Sequence, residues 1–255
     1  LALHHYAVID WNAKGSATQF TEKQYFTIMK YALQMDELIV RHSTIMDKYD
    51  PKKKVALVVD EWGGWYDVET GTNPGFLYQQ NSIRDAMLAG VTLNIFNNHS
   101  DRVRMANLAQ TVNVLQAVIL TKGSTMIKTP TYHVMEMYNV HQDATMLPIT
   151  LKSNDYTFEN DKLPAVSASA SKDKQGVTHI SLVNIDPSKS QTINVDLRGE
   201  KYNGVSGRIL TSKKIQDYNS FENPDVIAPT VFNGAKIANN KLSVQLPANS
   251  VVVLT

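Results

Sequence analysis

Over the first 121 residues, short apolar runs alternate with long stretches of helical period, the pattern of consecutive βα units that feed a parallel sheet. Leu1-Ala2-Leu3-His4-His5-Tyr6 opens as the apolar end of a strand. Thr21-Glu22-Lys23-Gln24 has the form of a capping box, and Phe26, Met29, Tyr31, Leu33, Leu38 and Ile45 supply the apolar stripe of a long helix that Asp50-Pro51 ends. After the solvated Lys52-Lys53-Lys54, the run Val55-Ala56-Leu57-Val58-Val59 is apolar without alternation, as in a parallel strand covered on both faces. It stops at Asp60-Glu61-Trp62-Gly63-Gly64. Residues 82–89 predict a helix closed by Gly90, and residues 91–96 a third strand. Asn97 to Asp101 reads as a loop. Residues 102–121 carry Val103, Ala106, Ala109, Val112, Leu115, Val118 and Ile119 at helical spacing and predict a helix that Lys122-Gly123 terminates.

From about residue 147 the texture changes to short alternating segments between turn residues: 177–185, 192–197, 205–210, 242–246 and 251–254. That is the pattern of a β-sandwich. Residues 130–142 read as a connecting helix, and Ser167-Ala168-Ser169-Ala170-Ser171 is the one low-complexity tract. The expected fold class is α/β plus all-β, divided into residues 1–124 and residues 125–255. Three βα units are too few for a closed eight-stranded barrel, which takes about 250 residues alone. An open three-stranded sheet exposes two edges, so the N-terminal half is expected to hold a missing piece, to oligomerise, or to be poorly ordered.

Composition narrows the partner. With 43% apolar residues in 255 and no cysteine, the chain has enough apolar surface for a sizeable core without disulfide staples. The 25 Lys+Arg against 24 Asp+Glu leave a formal net charge of +1, which points away from nucleic acid or an anionic membrane and toward a small or neutral partner. No membrane-spanning run or export signal is visible, and an opening at Leu1 in mid-strand leads us to expect a fragment. Compartment stays open, since any leader would lie upstream of Leu1.

Asp60-Glu61 falls at the carboxyl end of the clearest buried parallel strand, where barrel and doubly wound folds place reactive groups. Trp62, Trp65 and Tyr66 follow it as flat apolar walls of the kind a sugar ring stacks on. A loop-capping Asp60 beside a solvated Glu61 accounts for the same residues. His4 and Tyr6 share one face of the first strand, and His5 takes the other. A metal held by the histidines with Asp60, His99 and Asp101 lacks any ligand spacing, so hydrogen-bonded strand-end histidines are expected, with Asp101 as a helix cap. Met29, Met35, Met87 and Met105 read as core filler. No phosphate loop or nucleophile elbow occurs.

Asp60-Glu61-Trp62 with Trp65-Tyr66, and the stretch from Leu93 to Asn113 with Asn97-Asn98-His99-Ser100-Asp101 and Ala109-Gln110-Thr111-Val112-Asn113, closely resemble family 51 α-L-arabinofuranosidases. His4-x-Tyr6, Thr129-Pro130-Thr131-Tyr132 and Leu246-Pro247-Ala248-Asn249-Ser250-Val251 extend the resemblance across the chain. It implies the C-terminal part of a (β/α)8 barrel, about strands 6–8, followed by an antiparallel, jelly-roll-like β-sandwich. Strand 7 would end at Glu61, and residues 91–96 would be strand 8. It further implies retaining hydrolysis of terminal α-L-arabinofuranosyl groups from arabinan or arabinoxylan, without metal or organic cofactor. Glu61 corresponds to the nucleophile, Tyr6 to its hydrogen-bond donor, His4 to a support of the acid/base side and Gln110 to a contact for a substrate hydroxyl. Trp62 and Trp65 are placed as pocket walls. The family's acid/base lies in a Gly-Asn-Glu motif, which these residues lack, so the implied partners are an arabinose-containing saccharide and the N-terminal part of the same enzyme, in a possible homo-oligomer. Alone, the chain is expected to be inactive. A non-catalytic carbohydrate-binding protein, with the sandwich binding and the α/β part as scaffold, and a related glycosidase acting on xylosides or glucans are the alternatives.

Overall fold

The computed structural model describes residues 1–255. Strand β1 (Ala2–Ala7) leads through a long loop to helix α1 (Glu22–Tyr49), whose Thr21–Gln24 capping box forms as the sequence predicts. Strand β2 (Leu57–Gly64), helix α2 (Ile83–Asn98) and strand β3 (Val103–Leu108) follow. The three strands form a parallel sheet in the order β1-β2-β3. Of the stripe expected on α1, Phe26 and Met29 are buried, whereas Ile45 is exposed and the buried face runs through Tyr25, Ile28, Ala32, Met35 and Ile39.

Two expectations are corrected here. Residues 91–96 are not a strand, and Gly90 does not end a helix; both lie inside α2, which runs unbroken to Asn98. Residues 102–121 are not a helix, because their start is β3. The cause is burial. Thirteen of the sixteen residues of α2 are buried, all but Leu93, Asn97 and Asn98, so the helix has no polar face to betray its period. Gly90 is needed for close packing: a Cβ there would stand 2.8 Å from Val183 Cγ2.

Beyond β3, a hairpin of β4 (Ile119–Lys122) and β5 (Thr125–Lys128) leads to α3 (Pro130–Met137), the expected connecting helix. Short strand β6 (Thr145–Met146) and a hairpin of β7 (Asp155–Phe158) and β8 (Asp161–Pro164) precede β9 (Val166–Lys172) and β10 (Thr178–Asn184). Then come β11 (Gln191–Asp196), β12 (Gly207–Thr211), β13 (Thr230–Val231), β14 (Ala235–Ala238), β15 (Lys241–Leu246) and β16 (Ser250–Leu254). They build a six-stranded sheet, β13-β12-β16-β10-β9-β6, and a three-stranded sheet, β11-β15-β14; every pairing is antiparallel. The strands expected from the alternating segments are β10, β11, β12, β15 and β16.

The parallel and antiparallel parts share one hydrophobic cluster of 48 buried residues, and α2 is its hinge pin. One side of α2 takes Trp62 of β2 against Phe96. The other meets β9, where the low-complexity serine–alanine tract is a packed strand: Ser169 Oγ donates to Asn94 Oδ1 at 2.8 Å, and Asn94 Nδ2 donates to Ser167 Oγ at 3.2 Å. Tyr138 Oη adds a third bond to Asn94 at 3.1 Å, while Asn97 and Asn98 donate to Ser169 Oγ and the Ala168 carbonyl. No helix is long and apolar enough to cross a membrane.

On the same sheet His141 lies between two hydroxyls, Ser171 Oγ at 2.7 Å from Nδ1 and Ser181 Oγ at 2.5 Å from Nε2. Burial, with a smaller contribution from His179, pushes its pKa down to about 4. Above the ordinary value near 6.5 both folded and unfolded chains hold a neutral ring; as pH falls from there toward 4, only the unfolded chain gains the proton. Stability is therefore lost across that window, on the order of 2–3 kcal/mol from this group. Urea unfolding at a series of pH values is expected to show this loss in the wild type and less of it in His141→Gln, whose amide keeps a donor and an acceptor without a titration. At neutral pH, Asn94→Ala is expected to cost about 3 kcal/mol in the same assay, because it strands buried partners on two elements.

Candidate active site

The two carboxylates after Val59 do not alternate across the sheet. Leu3 pairs with Val59 but His4 pairs with Glu61, and on the other side Val59 pairs with Ala106 but Trp62 with Leu108, so β2 carries one residue more than each neighbour at this level. A bulge of this kind re-aims the side chains that follow it. Leu57, Val59 and Trp62 face the helices and are buried, whereas Asp60 and Glu61 both reach His4 on the opposite face.

There Tyr6 Oη donates to Glu61 Oε2 at 2.7 Å, and His4 Nδ1 lies 3.6 Å from the same oxygen. His4 Nε2 is 3.9 Å from Asp60 Oδ2. Burial above all, then the bond to Glu61 and its charge, pushes the Tyr6 phenol well above its ordinary value, so it stays a hydrogen-bond donor throughout the working pH range. His5 points the other way, its Nε2 2.8 Å from the Tyr31 carbonyl of α1. The division of the two histidines between faces is as the strand period predicts.

The aromatic residues separate into wall and core. Trp65 stands edge-on to Tyr6, ring centroids 5.2 Å apart, and Trp11 stands edge-on to Trp65 at 5.7 Å. Trp11 is 60% exposed and lies on the loop after β1. It is a wall residue that the sequence reading missed; the only signal for it was an isolated tryptophan in a polar loop at the carboxyl end of a strand. Trp62, expected as a wall, is instead a core residue: its ring is 1% exposed and packs on Phe96, because the bulge turns it to the helix side. Tyr66 is likewise buried.

Gln110 sits two residues past the end of β3, not within a helix. Its neighbour Ala109 donates its N–H to the Trp62 carbonyl at 3.0 Å, which brings exposed Gln110 to the same end of the sheet as Glu61. His99 and Asp101 lie at the opposite end, between α2 and β3. His99 Nε2 is 2.7 Å from Asp36 Oδ1, and Asp101 pairs with Lys53 rather than capping a helix.

What the arrangement offers chemically is a carboxylate with one oxygen held by a neutral phenol, a histidine beside it, and a partly open aromatic wall. An oriented carboxylate of this kind suits nucleophilic attack on an electrophilic carbon.

Comparison with known proteins bears on the same residues. The profile described as Alpha-L-arabinofuranosidase C-terminal domain matches residues 60–250. An intracellular exo-alpha-L-arabinofuranosidase of Bacteroides ovatus is 50% identical over 256 residues, covering 100% of this chain and 50% of that protein. The crystal structure of the GH51 arabinofuranosidase from Xanthomonas axonopodis pv. citri superposes with a TM-score of 0.97 at 49% identity, over 99% of this chain and 52% of that one. A Thermotoga maritima alpha-L-arabinofuranosidase, at 21% identity and a TM-score of 0.73, shares the fold over 99% of this chain. The chain spans about half the length of the relatives it matches. It belongs to the alpha-L-arabinofuranosidase C-terminal domain family, in glycoside hydrolase family 51.

Proposed function

We propose that this chain is the nucleophile-bearing half of a retaining α-L-arabinofuranosidase that removes terminal α-L-arabinofuranosyl groups from arabinan or arabinoxylan. The observation that carries the reading is the 2.7 Å bond from Tyr6 to Glu61 at the carboxyl end of the parallel sheet, in a chain half identical to an exo-arabinofuranosidase. On this reading residues 1–124 are the end of a (β/α)8 barrel and residues 125–255 the connector and sandwich. Strands β1, β2 and β3 are then barrel strands 6, 7 and 8, which moves strand 8 from residues 91–96 to Val103–Leu108.

In the first step Glu61 Oε1 or Oε2 attacks the anomeric carbon, the bond to the leaving oxygen breaks, and a covalent arabinosyl ester forms. Tyr6 holds the carboxylate in line for attack and keeps its own proton. Water then opens the ester at the same carbon, and configuration is retained overall. Both steps require a second carboxyl group about 5–5.5 Å away, first to protonate the leaving oxygen and then to deprotonate water. Of the other glutamates, Glu136 is paired with Arg208 and Glu159 with Lys23. The family resemblance places the acid/base in a Gly-Asn-Glu motif that these 255 residues lack, so on this reading the missing N-terminal part of the enzyme supplies it, Gln110 meets a sugar hydroxyl, and Trp65 lines the pocket.

Two outcomes are expected. The 255-residue chain alone leaves an unactivated arabinofuranoside intact, and the same chain joined to an upstream half that carries Gly-Asn-Glu hydrolyses it; Glu61→Gln then lowers turnover by roughly three orders of magnitude or more. Enzyme-like hydrolysis by the chain alone, lost in Glu61→Ala, would overturn the missing acid. In the joined enzyme, Tyr6→Phe is expected to lower kcat/KM about 10- to 100-fold, the worth of one hydrogen bond to a charged group.

A further inference from the structure

Arg84 is a buried cation with no role in the chemistry above. It is the second residue of α2, it is fully buried, and a cation at a helix N-terminus opposes the helix dipole. It makes no hydrogen bond to the adjacent Asp85: Asp85 Oδ2 accepts the Ser82 N–H at 2.8 Å, while Asp85 Oδ1 and the Arg84 Nε and Nη1 have no hydrogen-bond partner. The Arg84 guanidinium carbon instead lies 3.7 Å from the ring centroid of Phe20 and 3.7 Å from that of Tyr66, and Nη2 donates to the carbonyls of Ser16 and Ala17 at 3.3 and 3.2 Å. An aliphatic side chain of equal volume would fill the space and leave both carbonyls without this donor.

Phe20, Ser16 and Ala17 belong to the β1–α1 loop, and Tyr66 to the β2–α2 loop. The same two loops pair again where the Asp67 N–H donates to the Gly15 carbonyl at 2.9 Å and the Gly15 N–H donates to Asp67 Oδ2 at 3.0 Å. Trp11 is carried by the first loop and Trp65 by the second. Two buried glutamines finish the anchorage of the second loop: Gln79 Oε1 accepts the Tyr66 N–H at 2.8 Å, its Nε2 donates to the Gly64 carbonyl at 3.1 Å, and Gln116 accepts the Gly64 N–H.

We infer that Arg84 is a positioning residue for the pocket rim: its guanidinium, stacked on Phe20 and Tyr66, locks the two loops together and so sets Trp11 and Trp65 beside the Tyr6–Glu61 pair. Its functional meaning rests on the proposed role of Glu61, but its geometry does not. Arg84 touches no reacting atom, and it acts through the two tryptophans.

The edge-on Trp11–Trp65 pair provides the readout, because two indoles this close give an exciton couplet in far-ultraviolet circular dichroism. Trp11→Phe defines the couplet in the 255-residue chain. Arg84→Met is expected to lose most of its amplitude while the chain still unfolds cooperatively in urea. Asn94→Ala, which weakens the far side of α2, is expected to lower stability and keep the couplet. Should Arg84→Met fail to fold, Phe20→Leu, which removes one stacking face, decides in its place with the same expected loss. A couplet retained in the folded Arg84 or Phe20 variant, or lost equally in Asn94→Ala, overturns the inference. No turnover is measured, so an inactive chain or a different nucleophile leaves the result unaffected.

Discussion

Helix α2 is buried on both sides, and the other elements are placed by it. Its neighbours on one side are the parallel strands and on the other the serine face of β9, so the two sheet systems cannot be separated without exposing the helix between them. A helix in this position cannot be amphipathic. Its specificity has to come from a few polar groups at fixed places, and Asn94, with Asn97 and Asn98 one helical turn further on, supplies them, each meeting β9. Because α2 joins the end of the β2 segment to the start of β3, the grip of the sandwich on this helix also fixes the strands that carry Glu61 and lead to Gln110.

The electrostatics of the site follow from a single inserted residue. In an unbroken strand Asp60 and Glu61 would face opposite sides of the sheet, and Glu61 would share a face with buried Val59. With the bulge, both carboxylates come to the open face and Trp62 takes the core position that regular alternation would have assigned to Glu61. Burial of an unpaired carboxylate against α2 is thereby avoided, and a large apolar ring fills the space instead. The neutral Tyr6 phenol suits this place better than a cation, since it orients the carboxylate while leaving its charge unpaired by an opposite one.

Much of this was legible in the residues, and the failures have physical causes. The capping box of α1, the continuously apolar β2, the face shared by His4 and Tyr6, and the alternating strands of the sandwich all carry local signals that tertiary packing leaves intact. Residues 91–98 misled because a helix buried all round has no polar face to set its period, and the asparagines in it pair across to β9 instead of facing water. Residues 103–108 misled because a strand with one open edge keeps exposed Arg104 and Met105 among its apolar positions, which imitates a helical spacing. The bulge had no signature, since its extra residue is an ordinary aspartate, and Trp62 was misplaced as a direct result. The family resemblance named Glu61 and Tyr6, but their 2.7 Å contact depends on a register that spacing alone does not determine.

The groups that touch Glu61 here lie on β1, and that has a consequence for how the proposed enzyme is assembled. Tyr6 and His4 reach it from β1, Ala109 ties its strand to β3, and Trp65 is anchored through its N–H to the Ala7 carbonyl at 3.2 Å. On the proposed reading, the nucleophile is oriented before any upstream segment is present, and that segment has only to bring a carboxyl group to the correct distance. Preorganisation of this kind places the entropic cost of orientation in folding rather than in the reaction. On that same reading the two members of the proposed pair differ in kind: Glu61 takes its geometry from neighbouring strands of this chain, whereas the acid/base would be brought to it by another part of the enzyme.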